Sequence, residues 1–170
     1  MCGITGFINF KNNIKEDKKI LKDMTDTLIN RGPNSGDMYI SNNVMFGHRR
    51  LIVVDPEGGC QPMKRSVNGK EYVLVYNGEL YNTEDLRKEL KEDGYKFEGY
   101  SDTEVLLLSY INWGIDAISK FNGIFAFAIY DENKRRVVLA RDAMGVKPLF
   151  YSIKNNTFIF GSEVKSLFKH

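Results

Sequence analysis

The stretch IFAFAIYDENKRRVVLARDAMGVKPLFYSIKNNTFIF, residues 124–160, holds four short apolar segments separated by turn residues. The segments cover residues 124–130, 137–140, 149–152 and 157–160. Their length and their content of β-branched and aromatic residues predict β-strands. Because short turns join antiparallel neighbours, the stretch predicts antiparallel pairing.

Further strands are predicted toward the N-terminus. They cover residues 4–10, 38–40, 44–48 and 71–76, with a hairpin turn at 41–43 and a loop at 55–64. Asn77-Gly78 closes the last of these strands and is typical of a type I′ hairpin turn. No internal repeat or linker interrupts this order.

Three segments carry helical patterns. Apolar residues recur at three- and four-residue spacing over 15–30, and helices are also predicted over 83–93 and 102–113. Ser101 and Glu104 have the spacing of a capping box at the start of the third helix. Two packed antiparallel sheets flanked by helices would bury these elements, which makes the fold class α+β.

Composition and charge exclude several classes of protein. The 170 residues carry a formal charge of +2, and the basic residues are scattered rather than clustered, which argues against a nucleic-acid partner. No apolar run approaches the ~18 residues of a membrane span, and the N-terminus lacks the pattern of a signal peptide. The two cysteines and two histidines form no cluster at metal-ligand spacing.

Cys2 is the first candidate for chemistry. A lone cysteine is more often a small buried side chain, but removal of Met1 would leave Cys2 with a free α-amine beside its thiol. An α-amine has a pKa of about 7.7–8.0, so part of it is neutral base at physiological pH. One residue could then supply both the nucleophile and the base.

Two further sets of residues suit an amide substrate that carries an amino-acid end. A backbone N–H at Gly78 and the side-chain amide of Asn77 could form an oxyanion hole, although the dipeptide is more often only a turn. The guanidinium of Arg50 could hold an α-carboxylate, and Glu79 and Asp102 could hold an α-ammonium. The sequence does not show that these side chains converge.

Eight motifs, spread in order from residue 1 to residue 149, resemble the glutaminase domain of class II glutamine amidotransferases, and a further match reaches residue 167. They are Met1-Cys2-Gly3-Ile4-Thr5-Gly6-Phe7, Arg31-Gly32-Pro33 with Gly36, Gly47-His48-x-Arg50-Leu51, Gln61-Pro62-Met63, Tyr76-Asn77-Gly78-Glu79-Leu80-Tyr81-Asn82, Ser101-Asp102-Thr103-Glu104, Phe121-Asn122-Gly123-x-Phe125-Ala126-Phe127 and Arg141-Asp142-x-x-Gly145-x-x-Pro148-Leu149, followed by Glu163-x-Lys165-x-Leu167. Within that class the pattern is most similar to glutamine-hydrolysing asparagine synthetases.

The resemblance implies an N-terminal-nucleophile hydrolase fold, a four-layer αββα sandwich, with residues 1–170 as one domain. It assigns Cys2 as nucleophile, Asn77 and Gly78 as the oxyanion hole, Arg50 as the carboxylate ligand and Glu79 and Asp102 as the ammonium ligands. It adds backbone contacts from Leu51 and Val53.

Several other residues receive no catalytic role. His48 is interpreted as a structural histidine with its hydrogen bonds satisfied, Cys60 as a packing residue, and Asp142 and Lys147 as architecture near a domain interface. Asn34 stands where the family usually has Asp, so an ion pair at that position is in doubt.

The resemblance also implies partners. Glutamine is the substrate, and no metal or organic cofactor serves its hydrolysis. The ammonia would feed an ATP- and Mg²⁺-dependent synthetase domain that amidates aspartate. The sequence has no Ser-Gly-Gly-x-Asp-Ser type loop, so that domain is expected outside these residues. A cytoplasmic location without a membrane partner is expected, and a homodimer stays open.

Two alternatives remain at this stage. The domain could belong to another amidotransferase that tailors a peptide or a glycan. It could also be a catalytically silent glutamine-binding domain if Met1 is retained, because Cys2 would then have an amide in place of its base.

Overall fold

The computed structural model of the chain describes residues 1–52 and 59–170. Within these ranges the chain forms nine strands and five α-helices. The elements in chain order are β1 (Gly3–Ile8), α1 (Lys18–Asp26), β2 (Ser35–Ile40), β3 (Val44–Arg50), β4 (Met63–Val67), β5 (Lys70–Leu80), α2 (Thr83–Glu92), α3 (Asp102–Trp113), α4 (Ala117–Lys120), β6 (Gly123–Asp131), β7 (Arg136–Arg141), β8 (Phe150–Lys154), β9 (Thr157–Gly161) and α5 (Val164–Leu167). Short 3₁₀ turns precede α1 and α4.

The strands form two sheets in which the pairings are antiparallel. One sheet has the order β2-β3-β1-β9-β8 and the other has the order β4-β5-β6-β7. The predicted antiparallel α+β class is therefore confirmed.

Successive side chains of a strand point to opposite faces of its sheet, so each sheet packs against the other sheet on one face and against helices on the other. In β5, Val73 and Val75 face the other sheet, while Leu74 and Tyr76 pack against α2 and α3. In β1, Ile4 and Ile8 line the space between the sheets, and Phe7 packs in the cluster under α1. The result is the four-layer αββα sandwich.

Most predicted elements are present with shifted ends. The third helix begins at Asp102 and ends at Trp113 as predicted, and Gly114 ends it with a positive φ of 64°. The helix predicted over 15–30 is shorter, because α1 covers only Lys18–Asp26. The hairpin turn at 41–43 is confirmed by a hydrogen bond from the Ser41 N–H to the Val44 carbonyl.

Two local predictions are wrong. The loop predicted over 55–64 lies partly outside the described residues, and its last two residues begin strand β4. The Asn77-Gly78 dipeptide is not a turn, because β5 continues through it and pairs Asn77 with Ala126 and Gly78 with Phe125. The long partner strand β6 extends β5 past the point where local sequence predicts an end.

Candidate active site

Cys2 lies immediately before β1 and is contacted by the backbone of Leu51 and by the side chain of Arg31. Its Sγ lies 3.4 Å from the Leu51 nitrogen and 3.6 Å from the Leu51 oxygen. The Arg31 Nε donates to the Cys2 carbonyl at 3.0 Å. A side chain at Gly3 would come within 2.9 Å of Leu28 Cβ, so the small residue lets the turn that follows α1 pack closely against the residue next to Cys2. The thiol is therefore fixed in position and half-buried.

A cleft of about 450 Å³ opens beside Cys2, between the ends of β3 and β5 and the start of α3. It contains seven of the eight residues that the sequence singled out: Cys2, Arg50, Leu51, Asn77, Gly78, Glu79 and Asp102. The eighth, Val53, lies outside the described residues. The structure thus brings together side chains that are as far apart as 100 positions in the chain.

Two hydrogen-bond donors in this cleft belong to β5. The Asn77 side chain is 2% exposed, and its Nδ2 has no hydrogen-bond partner among the described residues. A buried donor without an acceptor is unfavourable unless a ligand supplies one. The Asn77 amide is therefore available to donate a hydrogen bond to a ligand oxygen.

The Gly78 N–H is the second donor, as strand alternation shows. The Tyr81 N–H bonds the Asn122 carbonyl, so odd-numbered N–H groups of β5 face β6 and even-numbered ones face away. Strand β4 ends its pairing at Leu74, and beyond it Gln61 Oε1 accepts from the Tyr76 N–H at 2.6 Å. Asp102 Oδ2 accepts from the Leu80 N–H at 3.1 Å. The N–H between these two, on Gly78, faces the cleft.

Asp102 is the first residue of α3 and is held in place by β5. Its Oδ2 accepts from the Tyr76 hydroxyl at 2.7 Å as well as from the Leu80 N–H. Burial raises the pKa of the Asp102 carboxyl, and nearby Glu79 adds to that effect, while the hydrogen bonds oppose it. A cationic group bound beside the two carboxylates would reverse this shift. The two carboxylates are therefore chemically suited to a cationic group.

Arg50, the last residue of β3, also lines the cleft, with only 7% of its surface exposed. Its Nη1 lies 3.6 Å from Cys60 Sγ. The interpretation of Cys60 as a packing residue is wrong, because Cys60 is exposed and its sulfur contacts this guanidinium. A buried guanidinium with an open cleft in front of it suits the carboxylate of a ligand.

Asn34 supports the backbone next to Arg50. Its N–H donates to the Arg50 carbonyl at 3.1 Å, and its Oδ1 accepts from the Ile52 N–H at 3.0 Å. The neutral amide oxygen supplies the acceptor that this backbone requires. Leu51 lies between the two bonded residues, so Asn34 also fixes the groups that contact Cys2.

The cleft includes residues that the sequence analysis did not assign to it. Tyr76 and Gln61 position neighbouring groups, as described above, and Tyr100, Ser101 and Thr103 also line the cleft. Each of these residues lies within or next to one of the quoted motifs, so the motifs could have identified it as a cleft residue.

Lys147 also lines the cleft: it is 8% exposed, and its Nζ lies 3.4 Å from Met1 Sδ. Met1 thus occupies part of the space in front of Cys2.

His48 and Asp142 lie behind the cleft rather than in it. Burial lowers the pKa of His48 to about 3, although a backbone hydrogen bond with Tyr76 opposes that shift. The expectation that its hydrogen bonds are satisfied is wrong for Nε2, which has no partner among the described residues. The Asp142 carboxylate accepts from the N–H groups of Phe125, Val146 and Lys147, which is an architectural role.

No group of three or more His, Cys, Asp or Glu residues in the described ranges could hold a metal ion. Within those ranges no helix has the length and apolar content needed to cross a membrane.

The chain belongs to the glutamine amidotransferase domain family, whose model matches residues 1–170. It is 52% identical over 170 residues to glutamine-hydrolysing asparagine synthetase 3 of Bacillus subtilis, a match that covers 100% of this chain and 28% of that protein. It is 41% identical to glutamine-hydrolysing asparagine synthetase 1 of the same organism, covering 98% of this chain and 26% of that protein. The chain therefore spans less than a third of the length of these relatives.

The fold has solved counterparts. Glutamine phosphoribosylpyrophosphate amidotransferase of B. subtilis superposes with a TM-score of 0.79 at 21% identity, covering 98% of this chain and 43% of that one. This likeness confirms the fold, a sandwich of two antiparallel sheets between helical layers.

Proposed function

We propose that the chain, after removal of Met1, hydrolyses the side-chain amide of glutamine to glutamate and ammonia. The observation that carries the proposal is the Asn77 Nδ2, a buried donor without a partner among the described residues, in the same cleft as Cys2 Sγ. A donor so placed suits the oxygen of a tetrahedral intermediate.

The reaction is acyl transfer. The α-amine of Cys2 takes the thiol proton, and the sulfur bonds to the amide carbon of glutamine. Asn77 Nδ2 and the Gly78 N–H bind the oxyanion that forms. The carbon–nitrogen bond then breaks, and the relayed proton leaves with ammonia. Water cleaves the thioester and returns the thiol and glutamate.

Substrate selection depends on the charged side chains that line the cleft. Arg50 binds the α-carboxylate with two parallel hydrogen bonds, and Asp102 and Glu79 bind the α-ammonium. Leu51 contributes backbone contacts, and Val53 is expected to do the same from outside the described residues. No metal or organic cofactor takes part in these steps.

The test is glutamate release from glutamine without ATP or metal, by protein whose loss of Met1 is confirmed by intact mass. Cys2→Ala is the control for background hydrolysis. Turnover that equals this control would reject the glutaminase and leave a glutamine-binding domain. Protein that retains Met1 should be inactive, because the nitrogen of Cys2 is then an amide and Met1 lies in the cleft.

We propose further that the ammonia serves an ATP- and Mg²⁺-dependent synthetase domain that amidates aspartate. The support is the identity to two glutamine-hydrolysing asparagine synthetases that are more than three times as long. The parent reading frame should therefore encode a Ser- and Gly-rich phosphate-binding loop after residue 170. A native stop codon at 171, with no such protein encoded alongside, would reject the synthetase assignment and leave the glutaminase chemistry in place.

A cytoplasmic location follows from the same proposal, since a reducing compartment keeps Cys2 as a thiol. The homodimer stays a prediction that light scattering can check.

A further inference from the structure

The segment 97–101 connects the α2 side of the molecule to the start of α3. Its last two residues, Tyr100 and Ser101, line the cleft, and Asp102 follows directly. The position of Asp102 relative to a bound ligand therefore depends on the position of this segment.

Glu104 holds the segment from α3. Its carboxylate is 1% exposed and accepts from the N–H of Glu98 at 2.8 Å and from the N–H of Gly99 at 2.9 Å. Arg65 of β4 balances the charge, with its Nη2 at 2.7 Å from Glu104 Oε1. Ionised acceptors make hydrogen bonds about twice as strong as neutral ones. The capping-box prediction is thus confirmed for Ser101, whose Oγ accepts from the Glu104 N–H, while the Glu104 carboxylate also reaches back to the segment.

Arg87 holds the same segment from α2. Its side chain is buried, and its Nη1 donates to the Gly99 carbonyl at 3.0 Å. The guanidinium carbon lies 4.1 Å from the centroid of the Phe97 ring and 6.0 Å from that of Tyr100. Gly99 therefore has its N–H bound by one buried charge and its carbonyl bound by another of opposite sign.

This arrangement does not stabilise the packing of α2 on α3 as well as an apolar contact would. Arg87 Nε and Nη2 are buried and have no hydrogen-bond partner among the described residues. Burial of a charge that is incompletely paired is unfavourable, and apolar side chains of similar size often stabilise such a position better. Arg87 and Glu104 instead fix the backbone of segment 97–101, which leads directly to Asp102.

We propose that Arg87 and Glu104 are positioning residues for the α-ammonium subsite. They set the place of Asp102 and thereby the preference for a ligand with a free α-amino group. The inference rests on the proposed glutaminase function and deepens it. Neither residue lines the cleft, so each acts through segment 97–101.

Two ligands that differ only in the α-amino group test this. They are glutamine and 4-carbamoylbutanoate, which is glutamine without that group. The variants are Arg87→Lys, which loses the planar stacking on Phe97, and Glu104→Gln, which replaces one acceptor oxygen with a donor. The matched controls lie at exposed positions on α2: Lys88→Arg exchanges one cation for another, as Arg87→Lys does, and Glu92→Gln neutralises a carboxylate, as Glu104→Gln does.

The KM for glutamine should rise about tenfold in Arg87→Lys and Glu104→Gln, which corresponds to the loss of one charge-assisted hydrogen bond. The kcat should change less than about threefold in both variants. The inhibition constant of 4-carbamoylbutanoate should stay within about twofold of wild type, because that ligand does not use the subsite. Both control variants should match wild type for both ligands.

The proposal would be overturned if the KM for glutamine and the inhibition constant of 4-carbamoylbutanoate rose by the same factor, or if the KM for glutamine were unchanged. Unfolding of both variants at the assay temperature would also overturn it. Failure of the proposed function is distinguishable, since it would abolish turnover in the wild type. Calorimetric binding of the same two ligands to the same proteins would then still report the selectivity.

Discussion

The buried imidazole of His48 makes a quantitative prediction about folding stability and pH. His48 is 1% exposed, and burial lowers its pKa to about 3, against an ordinary value of 6.5. In the unfolded chain the imidazole takes up a proton below pH 6.5, whereas the folded protein resists protonation until about pH 3. The unfolded state therefore binds more protons within this window, and stability falls as the pH falls through it.

The size of the effect follows from the separation of the two pKa values. Each pH unit below the unfolded pKa is equivalent to about 1.4 kcal/mol, so His48 should lower the free energy of unfolding by about 2 kcal/mol between pH 6.5 and pH 5. Urea unfolding at pH 7 and pH 5 measures this directly. The wild type should lose about 2 kcal/mol more than His48→Gln over that interval, because other titrating groups are shared and cancel in the difference.

The same pair of proteins separates a structural His48 from a catalytic one. His48 does not line the cleft, so folded His48→Gln should keep the pH dependence of kcat/KM for glutamine. Identical loss of stability in the two proteins between pH 7 and pH 5 would refute the buried neutral imidazole. Loss of the acidic limb of the rate profile in the variant, where activity falls as the base is protonated, would refute the assignment of the Cys2 amine as the base.

Three substitutions test the cleft. Arg50→Lys should weaken glutamine binding about tenfold by calorimetry, because an ammonium cannot reproduce a planar two-point contact, and unchanged affinity would make Arg50 a structural charge. Asn77→Ala should lower kcat roughly 10²- to 10³-fold in steady-state assays with KM changed less than about threefold, and a pure KM effect would contradict an oxyanion role. Gly78→Ala should lower the free energy of unfolding by about 1–3 kcal/mol in urea titrations, because its Cβ would lie 2.4 Å from the Tyr76 ring and 2.5 Å from the Ile124 carbonyl oxygen. A variant as stable as wild type would contradict that packing.

The sequence predicted the fold best where local signals act alone. Helix α3 has its cap, its apolar residues and its terminal glycine within its own segment, and both ends were predicted correctly. Strand β4 was missed because its three central residues, Lys64, Arg65 and Ser66, are charged or polar, as suits an edge strand. Only its pairing with β5 identifies it.

One dipeptide shows the limit of local reasoning. Asn68-Gly69 has positive φ at both residues and turns the chain between β4 and β5, as a type I′ turn requires. Asn77-Gly78 has the same two residues but lies within β5, because β6 pairs with it on one side. The candidate site residues were nevertheless identified from motif resemblance, while their convergence could come only from the tertiary structure.

The backbone donor at Gly78 gives the proposed chemistry an unusual resistance to mutation. A side-chain donor such as Asn77 disappears with a single codon change, whereas every residue except proline carries an amide N–H. Selection at position 78 therefore acts on volume, through the neighbours Tyr76 and Ile124, and not on the donor itself. Chemical synthesis offers the direct route to its removal: a backbone ester in place of that one amide would delete the donor while leaving every side chain of the protein intact.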